Sequence, residues 1–217
     1  MQHSPDKDTQ HGALTFSASD LRLNDFNAKQ FIDLHRWVEP AQGQLQNDGS
    51  AETSVDTKRR DVTVYPLHEV FSVKAFDGLH KNHAYRKLVE CINHIADEAN
   101  KTFNYWIYGR DSEGSHTIGN GYESLQLLKY EAPSNGYDWH HDLGNGEAAY
   151  RKISISLFLS NDYEGGEFCL FDKGEVVAPS PTGSAVAFSS FVPHRVKPVT
   201  RGIRWSVVAW IGGPRFQ

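Results

Sequence analysis

The chain has 217 residues, 39% of them hydrophobic and 12% aromatic, which suits one domain with a substantial core and excludes disorder throughout. A net charge of -5 argues against a nucleic-acid-binding surface, no apolar run approaches the length of a bilayer span, and Cys91 and Cys169 alone build neither a disulfide framework nor a Cys-rich zinc site. The polar first residues lack the apolar stretch of a signal peptide, so a cytoplasmic protein with no membrane partner is expected.

Residues 1–20 are polar and without period, which predicts a flexible tail in which His3 and His11 are solvent-exposed. A single domain is expected over 21–217, with helical support over 21–100 and a β core over 101–217. Ala28, Phe31, Leu34 and Val38 fall at helical spacing, and Pro40 closes a helix predicted for 27–39. The polar run from 41 to 60 reads as a long loop, either a lid or a disordered segment. Val62, Val64, Val70, Phe71 and Val73 indicate one or two strands. Asn82 can cap a second helix to about residue 100, whose stripe of Tyr85, Leu88, Ile92, Ile95 and Ala99 should pack on the outside of a sheet, leaving His83 and His94 structural or exposed.

Beyond that helix the period shortens to two. Strands are predicted at 103–108, 124–131, 152–160, 167–171, 184–188 and 204–211, with a Gly-rich connection over 109–121. Many short strands separated by Gly, Pro, Asn and Asp turns indicate a barrel or sandwich. No Walker-type or dinucleotide-binding glycine motif occurs.

Within this β region Tyr137-Asp138-Trp139-His140-His141-Asp142 contains a His-x-Asp pair, and His194 follows some fifty residues later. Two imidazoles and a carboxylate on one face of a metal form the ligand set of non-haem Fe(II) oxygenases. Chance alone supplies about 0.8 His-x-Asp triplets in a chain with this many His and Asp, so the surroundings must carry the argument. In 152–160, Ile153, Ile155, Leu157 and Leu159 share one face while Ser154, Ser156 and Phe158 share the other, as in a wall between an apolar layer and a polar pocket. Arg204 opens a strand of Trp, Val, Ala and Ile, with Ser206, Val208 and Trp210 on its own face; it needs an anionic partner, either a protein carboxylate or a bound dicarboxylate.

These motifs resemble the catalytic domain of 2-oxoglutarate- and Fe(II)-dependent dioxygenases of the prolyl 4-hydroxylase type. The likeness runs from about Gln126 to Trp210. It rests on Leu127-Leu128-Lys129-Tyr130 leading into the His-x-Asp motif, on Ile155-Ser156-Leu157-Phe158-Leu159-Ser160, on the turn Tyr163-Glu164-Gly165-Gly166-Glu167-Phe168, on Pro181-Thr182-Gly183-Ser184-Ala185, and on His194-Arg195-Val196 through Arg204-Trp205-Ser206. The resemblance implies a mainly β fold with supporting helices around a double-stranded β-helix core of jelly-roll or cupin type. It also implies His140, Asp142 and His194 as iron ligands, with Arg204, Tyr130 and Ser206 binding the distal carboxylate of 2-oxoglutarate. His141 is a rival ligand to His140, but only His140 has an acid two residues on. Many prolyl hydroxylases carry Lys where this chain has Arg204, and Phe158 stands where some relatives place a second cosubstrate-binding tyrosine.

The implied cofactors are Fe(II), 2-oxoglutarate, O2 and ascorbate. Asp142 speaks for hydroxylation over halogenation, because halogenating relatives replace the carboxylate. The expected substrate is a prolyl or other residue in a peptide or protein; the alternatives are a free amino acid or other small molecule, a cupin-like metal-binding module without turnover, and a zinc hydrolase. A binding module would leave Arg204 and Tyr130 without a task, and a hydrolase lacks an obvious general base beside the ligands.

Overall fold

The computed structural model describes residues 9–10, 12–21, 27–46, 53–67, 78–108 and 125–216. The first half contributes β1 (Thr9–Gln10), β2 (Ala13–Phe16), α1 (Ala28–Ile32) continuing into a 3-10 helix at Asp33–Trp37, the short strands β3 (Ala41–Gln42), β4 (Leu45–Gln46), β5 (Thr53–Ser54), β6 (Arg60–Asp61) and β7 (Thr63–Pro66), and α2 (Gly78–Phe103). The second half contributes β8 (Gln126–Glu131), β9 (Gly136–His140), β10 (Arg151–Phe158), β11 (Glu164–Gly165), β12 (Phe168–Phe171), β13 (Glu175–Val177), β14 (Ala185–Ser189), β15 (His194–Val196), β16 (Val199–Arg201) and β17 (Ile203–Gly212).

Antiparallel pairing arranges these into a large sheet in the order β1-β2-β14-β10-β17-β8-β7-β3 and a smaller one in the order β13-β12-β15-β9-β6. The long strands alternate between the two: β8, β10, β14 and β17 enter the large sheet while β9, β12 and β15 enter the small one. That winding makes the sandwich a jelly roll, the core that the family resemblance implies.

Strict period-two alternation decides what each sheet face does. Ile153, Ile155 and Leu157 of β10, with Val207, Ala209 and Ile211 of β17, turn outward to meet Leu88, Ile92, Ile95 and Ala99 of α2 in one core cluster. The opposite face of the same strands looks between the sheets, where Leu128, Phe158, Phe168, Phe188 and Val196 form a second cluster. Ile95 is fully buried in the outer cluster, so Ile95→Ala should cost about 2–5 kcal/mol, read as a lower urea midpoint with unchanged slope.

Four expectations change. The predicted tail does not extend to residue 20: Ala13–Phe16 pairs with Ala185–Phe188 of β14, burying Leu14 and Phe16. A four-residue strand in a polar segment has little local signal; its stability comes from a partner some 170 residues away. Helix α2 begins at Gly78, so Asn82 lies within it and does not cap it. Residues 104–108 are not a strand, because Asn104 adopts φ 53° and the Asn100 side chain accepts from the Tyr105 N–H at 2.9 Å and donates to its carbonyl at 3.0 Å, closing the helix end. The 41–60 stretch carries the short strands β3 to β6, and β3 and β6 lie at sheet edges. The strand residues expected at 70–73 and the 109–121 connection lie outside the described residues. No described helix is long and apolar enough to cross a membrane.

Candidate active site

Three neighbouring elements bring the His-x-Asp pair and His194 together. Strand β9 pairs with β15 so that His140 stands opposite His194. The approach depends on Gly136 at the start of β9, with φ 75°, where a Cβ would come within 2.3 Å of the Val196 carbonyl oxygen. Asp142, just past β9, is held by its N–H donating to the Ser190 carbonyl at 2.9 Å. One ligand-type atom from each of His140, Asp142 and His194 lies within 4.8 Å of the others; His140 Nε2 is 3.8 Å and His194 Nε2 is 3.5 Å from the Asp142 carboxylate.

The other nitrogen of each ring is already engaged. His140 Nδ1 donates to the Asp138 carbonyl at 2.8 Å and His194 Nδ1 donates to the Val192 carbonyl at 3.0 Å. That arrangement fixes the tautomer and leaves both Nε2 lone pairs facing the carboxylate, as a metal site requires. Tyr137 stacks on His140 with ring centroids 3.5 Å apart, and His140 lies 4.1 Å from the His194 ring. His141 is exposed, with its Nδ1 2.6 Å from the Leu143 carbonyl, and is not part of this cluster.

Burial holds the His140 imidazole well below the usual histidine range, and His194 pushes the same way. Burial alone would raise the Asp142 carboxyl, but His194, His140 and Arg151, with a hydrogen bond from Ser154, outweigh it and hold the carboxyl well below the usual carboxylate range. Both pKa values are depressed on folding. Unfolded His140 takes up a proton near about pH 6.5 while the folded form stays neutral, so its contribution is present above that pH and is lost as pH falls through the window below it. Asp142 contributes above about pH 3.9, the unfolded value, and its share disappears only in stronger acid. The metal-free protein should therefore show a lower urea midpoint at about pH 5.5 than at about pH 7.5, and the drop should shrink in His140→Leu.

A narrow cavity between the sheets runs from this cluster to Arg204. The small-hydroxyl face of β10 lines it through Ser154 and Ser156, as its alternation predicted. Arg204 is 1% exposed. Its Nε donates to the Gly166 carbonyl at 2.9 Å and its Nη1 to Ser206 Oγ at 3.0 Å, while Tyr130 stands opposite it in the β8–β17 ladder with its ring 5.4 Å from the guanidinium carbon. Gly166 lets the turn close over this side chain: it has φ 67°, and a Cβ there would lie 3.0 Å from Arg204 Cδ. Among the described residues no carboxylate pairs with Arg204, and Phe158 packs 5.5 Å from it. A buried guanidinium with two neutral partners and an adjoining cavity suits an incoming carboxylate.

Three cavity residues escaped the sequence reading: Arg60, Tyr137 as the stacking partner of His140, and Ser154 as a partner of Asp142. Arg60 had one available signal, its same-parity spacing with the buried Val62 and Val64.

Residues 125–212 match the 2OG-Fe(II) oxygenase superfamily. A PKHD-type hydroxylase from Synechococcus sp. (strain JA-2-3B'a(2-13)) is 37% identical over 95 residues, covering 41% of this chain and 42% of that protein. The chain thus spans about two-fifths of the length of the curated relatives it matches. Among solved structures, a prolyl hydroxylase from Trichoplax adhaerens, in complex with a hypoxia inducible factor oxygen degradation domain peptide fragment, aligns with TM-score 0.65 at 18% identity over 93% of this chain and 84% of that one. A Pseudomonas putida prolyl-4-hydroxylase aligns with TM-score 0.57 at 18% identity over 94% of each chain. At such identities the structural likeness is one of fold, and the fold it gives is the jelly roll. The match over residues 125–212 and the likeness of fold thus point the same way, and the chain is similar to 2-oxoglutarate- and Fe(II)-dependent dioxygenases of the prolyl hydroxylase type.

Proposed function

We propose that this protein is an Fe(II)- and 2-oxoglutarate-dependent dioxygenase that hydroxylates an unactivated C–H bond, with a prolyl or other residue of a peptide or protein as substrate. His140, Asp142 and His194 would hold the iron from one side, and Arg204, with Tyr130 and Ser206, would hold the distal carboxylate of 2-oxoglutarate. The observation that carries the reading is Arg204: a fully buried cation with no carboxylate among the described residues, at the far end of a cavity that begins at the ligand cluster. A metal-binding module without turnover gives that charge no partner.

When bound, the iron couples oxidative decarboxylation of 2-oxoglutarate by O2, giving succinate and CO2, to hydroxylation of the substrate carbon. The chain supplies placement and exclusion. The Asp138 and Val192 carbonyls hold the two imidazoles in the ligating tautomer. The apolar walls from Leu128, Phe168, Phe188 and Val208 keep water from the cosubstrate pocket. On the solvent side, an open groove of about 640 Å³ reaches Asp142 and Tyr137 and gives substrate a way to the ligand cluster. Ascorbate would keep the iron in its ferrous state, and a cytoplasmic location fits a chain with two buried free thiols.

The test supplies Fe(II), ascorbate and 2-oxoglutarate with a panel of prolyl peptides and quantifies succinate and hydroxylated peptide. Equimolar formation of the two is expected. Absence of turnover on every substrate, together with no 2-oxoglutarate-dependent absorption band from the iron, would overturn the assignment.

A further inference from the structure

Among the described residues, three line both the inner cavity and the outer groove: Arg60, Tyr137 and Asp142. Asp142 belongs to the ligand cluster and Tyr137 backs His140. Arg60 has no assigned task. Its guanidinium lies 4.8 Å from the Tyr137 ring centroid and Nη1 donates to the Gln44 carbonyl, while Nε is buried without an acceptor. No acid among the described residues pairs with it, and a buried N–H is left open at Nε. Gly43 lets the chain lie against it, since a Cβ there would come within 2.9 Å of Nε.

Charge balance gives this position a meaning that rests on the dioxygenase reading. The two charges of Fe(II) and that of Arg204 balance Asp142 and both carboxylates of 2-oxoglutarate. Arg151 is occupied by the Asp142 backbone carbonyl at 2.9 Å and by the Trp210 face at 4.0 Å. The cosubstrate-loaded site is then neutral apart from two flanking cations, Arg151 and Arg60, and Arg60 is the one that stands between the inner cavity and the groove by which substrate reaches the metal, in a protein whose net charge is -5. Glu147 is the acid on the groove rim, and it lies on the exposed surface.

We infer that Arg60 receives a carboxylate of the substrate at this passage, so that the carbon hydroxylated lies beside an acidic group. Planar, delocalised and weakly hydrated, a guanidinium stacked on an aromatic ring suits a carboxylate arriving in a partly dry cleft. The carboxylate has two possible sources, an acidic side chain flanking the target residue in a peptide or the α-carboxylate of a free amino acid.

The experiment uses the anaerobic Fe(II)–2-oxoglutarate complex, with perturbation of its absorption band as the binding signal. The probes are capped prolyl peptides identical except for Glu, Gln or Lys beside the proline, and free L-proline. In the wild type the Glu peptide should bind about ten- to a hundredfold more tightly than the Gln peptide, the range of one hydrogen bond to a charged group, and the Lys peptide should bind weakest. Arg60→Gln should abolish the preference and Arg60→Lys should keep part of it. Tight binding of L-proline that is lost in Arg60→Gln would support the carboxylate assignment and move its source to a small molecule. Equal affinity for the Glu, Gln and Lys peptides, at whatever strength, together with L-proline binding unaffected by Arg60→Gln, overturns the inference. The wild-type ranking needs no variant, so a poorly folding substitution cannot mask it. An absent absorption band in the wild type instead overturns the dioxygenase reading itself.

Discussion

Arg204→Leu is expected to raise the KM for 2-oxoglutarate by about a hundredfold or more while changing the stability of the cosubstrate-free protein little. The two effects separate because the partner of Arg204 is proposed to be a ligand. Truncating one member of a buried charge pair typically costs about 2–5 kcal/mol, which is about thirty- to several-thousandfold in affinity. In the ligand-free protein no such pair exists among the described residues. Leucine would forfeit the hydrogen bonds to the Gly166 carbonyl and Ser206 hydroxyl, but it would also relieve the cost of holding an unneutralised cation that is 1% exposed. A structural arginine behaves in the opposite way: its removal destabilises the free protein by several kcal/mol and leaves the cosubstrate KM unmoved. Thermal unfolding with and without 2-oxoglutarate supplies a second readout. The wild type should gain melting temperature with added cosubstrate and Arg204→Leu should not. Arg204→Lys keeps the charge without the fork and should fall between them, in line with the lysine found there in many prolyl hydroxylases.

That Arg204 could be singled out from sequence reflects the regularity of β17. Ten residues of uninterrupted alternation assign every side chain to a face, and one charged residue on an otherwise apolar or small-hydroxyl face stands out. Strand β10 was legible for the same reason, down to the hydroxyls of Ser154 and Ser156 that line the cavity. Legibility fails where structure is set by partners distant in sequence. Ala13–Phe16 is a strand because β14 offers an edge, and nothing within the segment announces that edge. Residues 104–108, by contrast, have strand-like composition, but the Asn100 side chain and a left-handed Asn104 override it. Arg60 was hidden for a related reason. It sits on a two-residue edge strand whose one sequence signal is its parity with Val62 and Val64, and its surroundings come from Tyr137 and Gly43, which meet it only in the fold.

Adjacent histidines make the sharpest test of the proposed metal site, because sequence alone leaves His141 a rival. His194→Ala should abolish the iron-dependent absorption band and turnover, with loss of metal affinity of at least about a hundredfold; deleting a partner of a metal ligand costs about 10–100-fold, and deleting a ligand costs more. His141→Ala should retain iron and substantial activity. The difference follows from the backbone. His140 is the last residue of β9, and the β9–β15 register places it opposite His194, while His141 lies just past the strand and outside that ladder. His140 is turned inward onto Tyr137, with its outer nitrogen tied to the Asp138 carbonyl. His141 lines the outer groove, its ring nitrogen beside the Leu143 carbonyl. From there it can touch substrate but has no path to the Asp142 carboxylate shared by the other two rings. His141→Ala should therefore change the KM for the peptide before it changes metal content. Iron lost from His141→Ala but kept in His140→Ala would mean that β9 is paired in the opposite register, which would also move Asp142 away from both imidazoles.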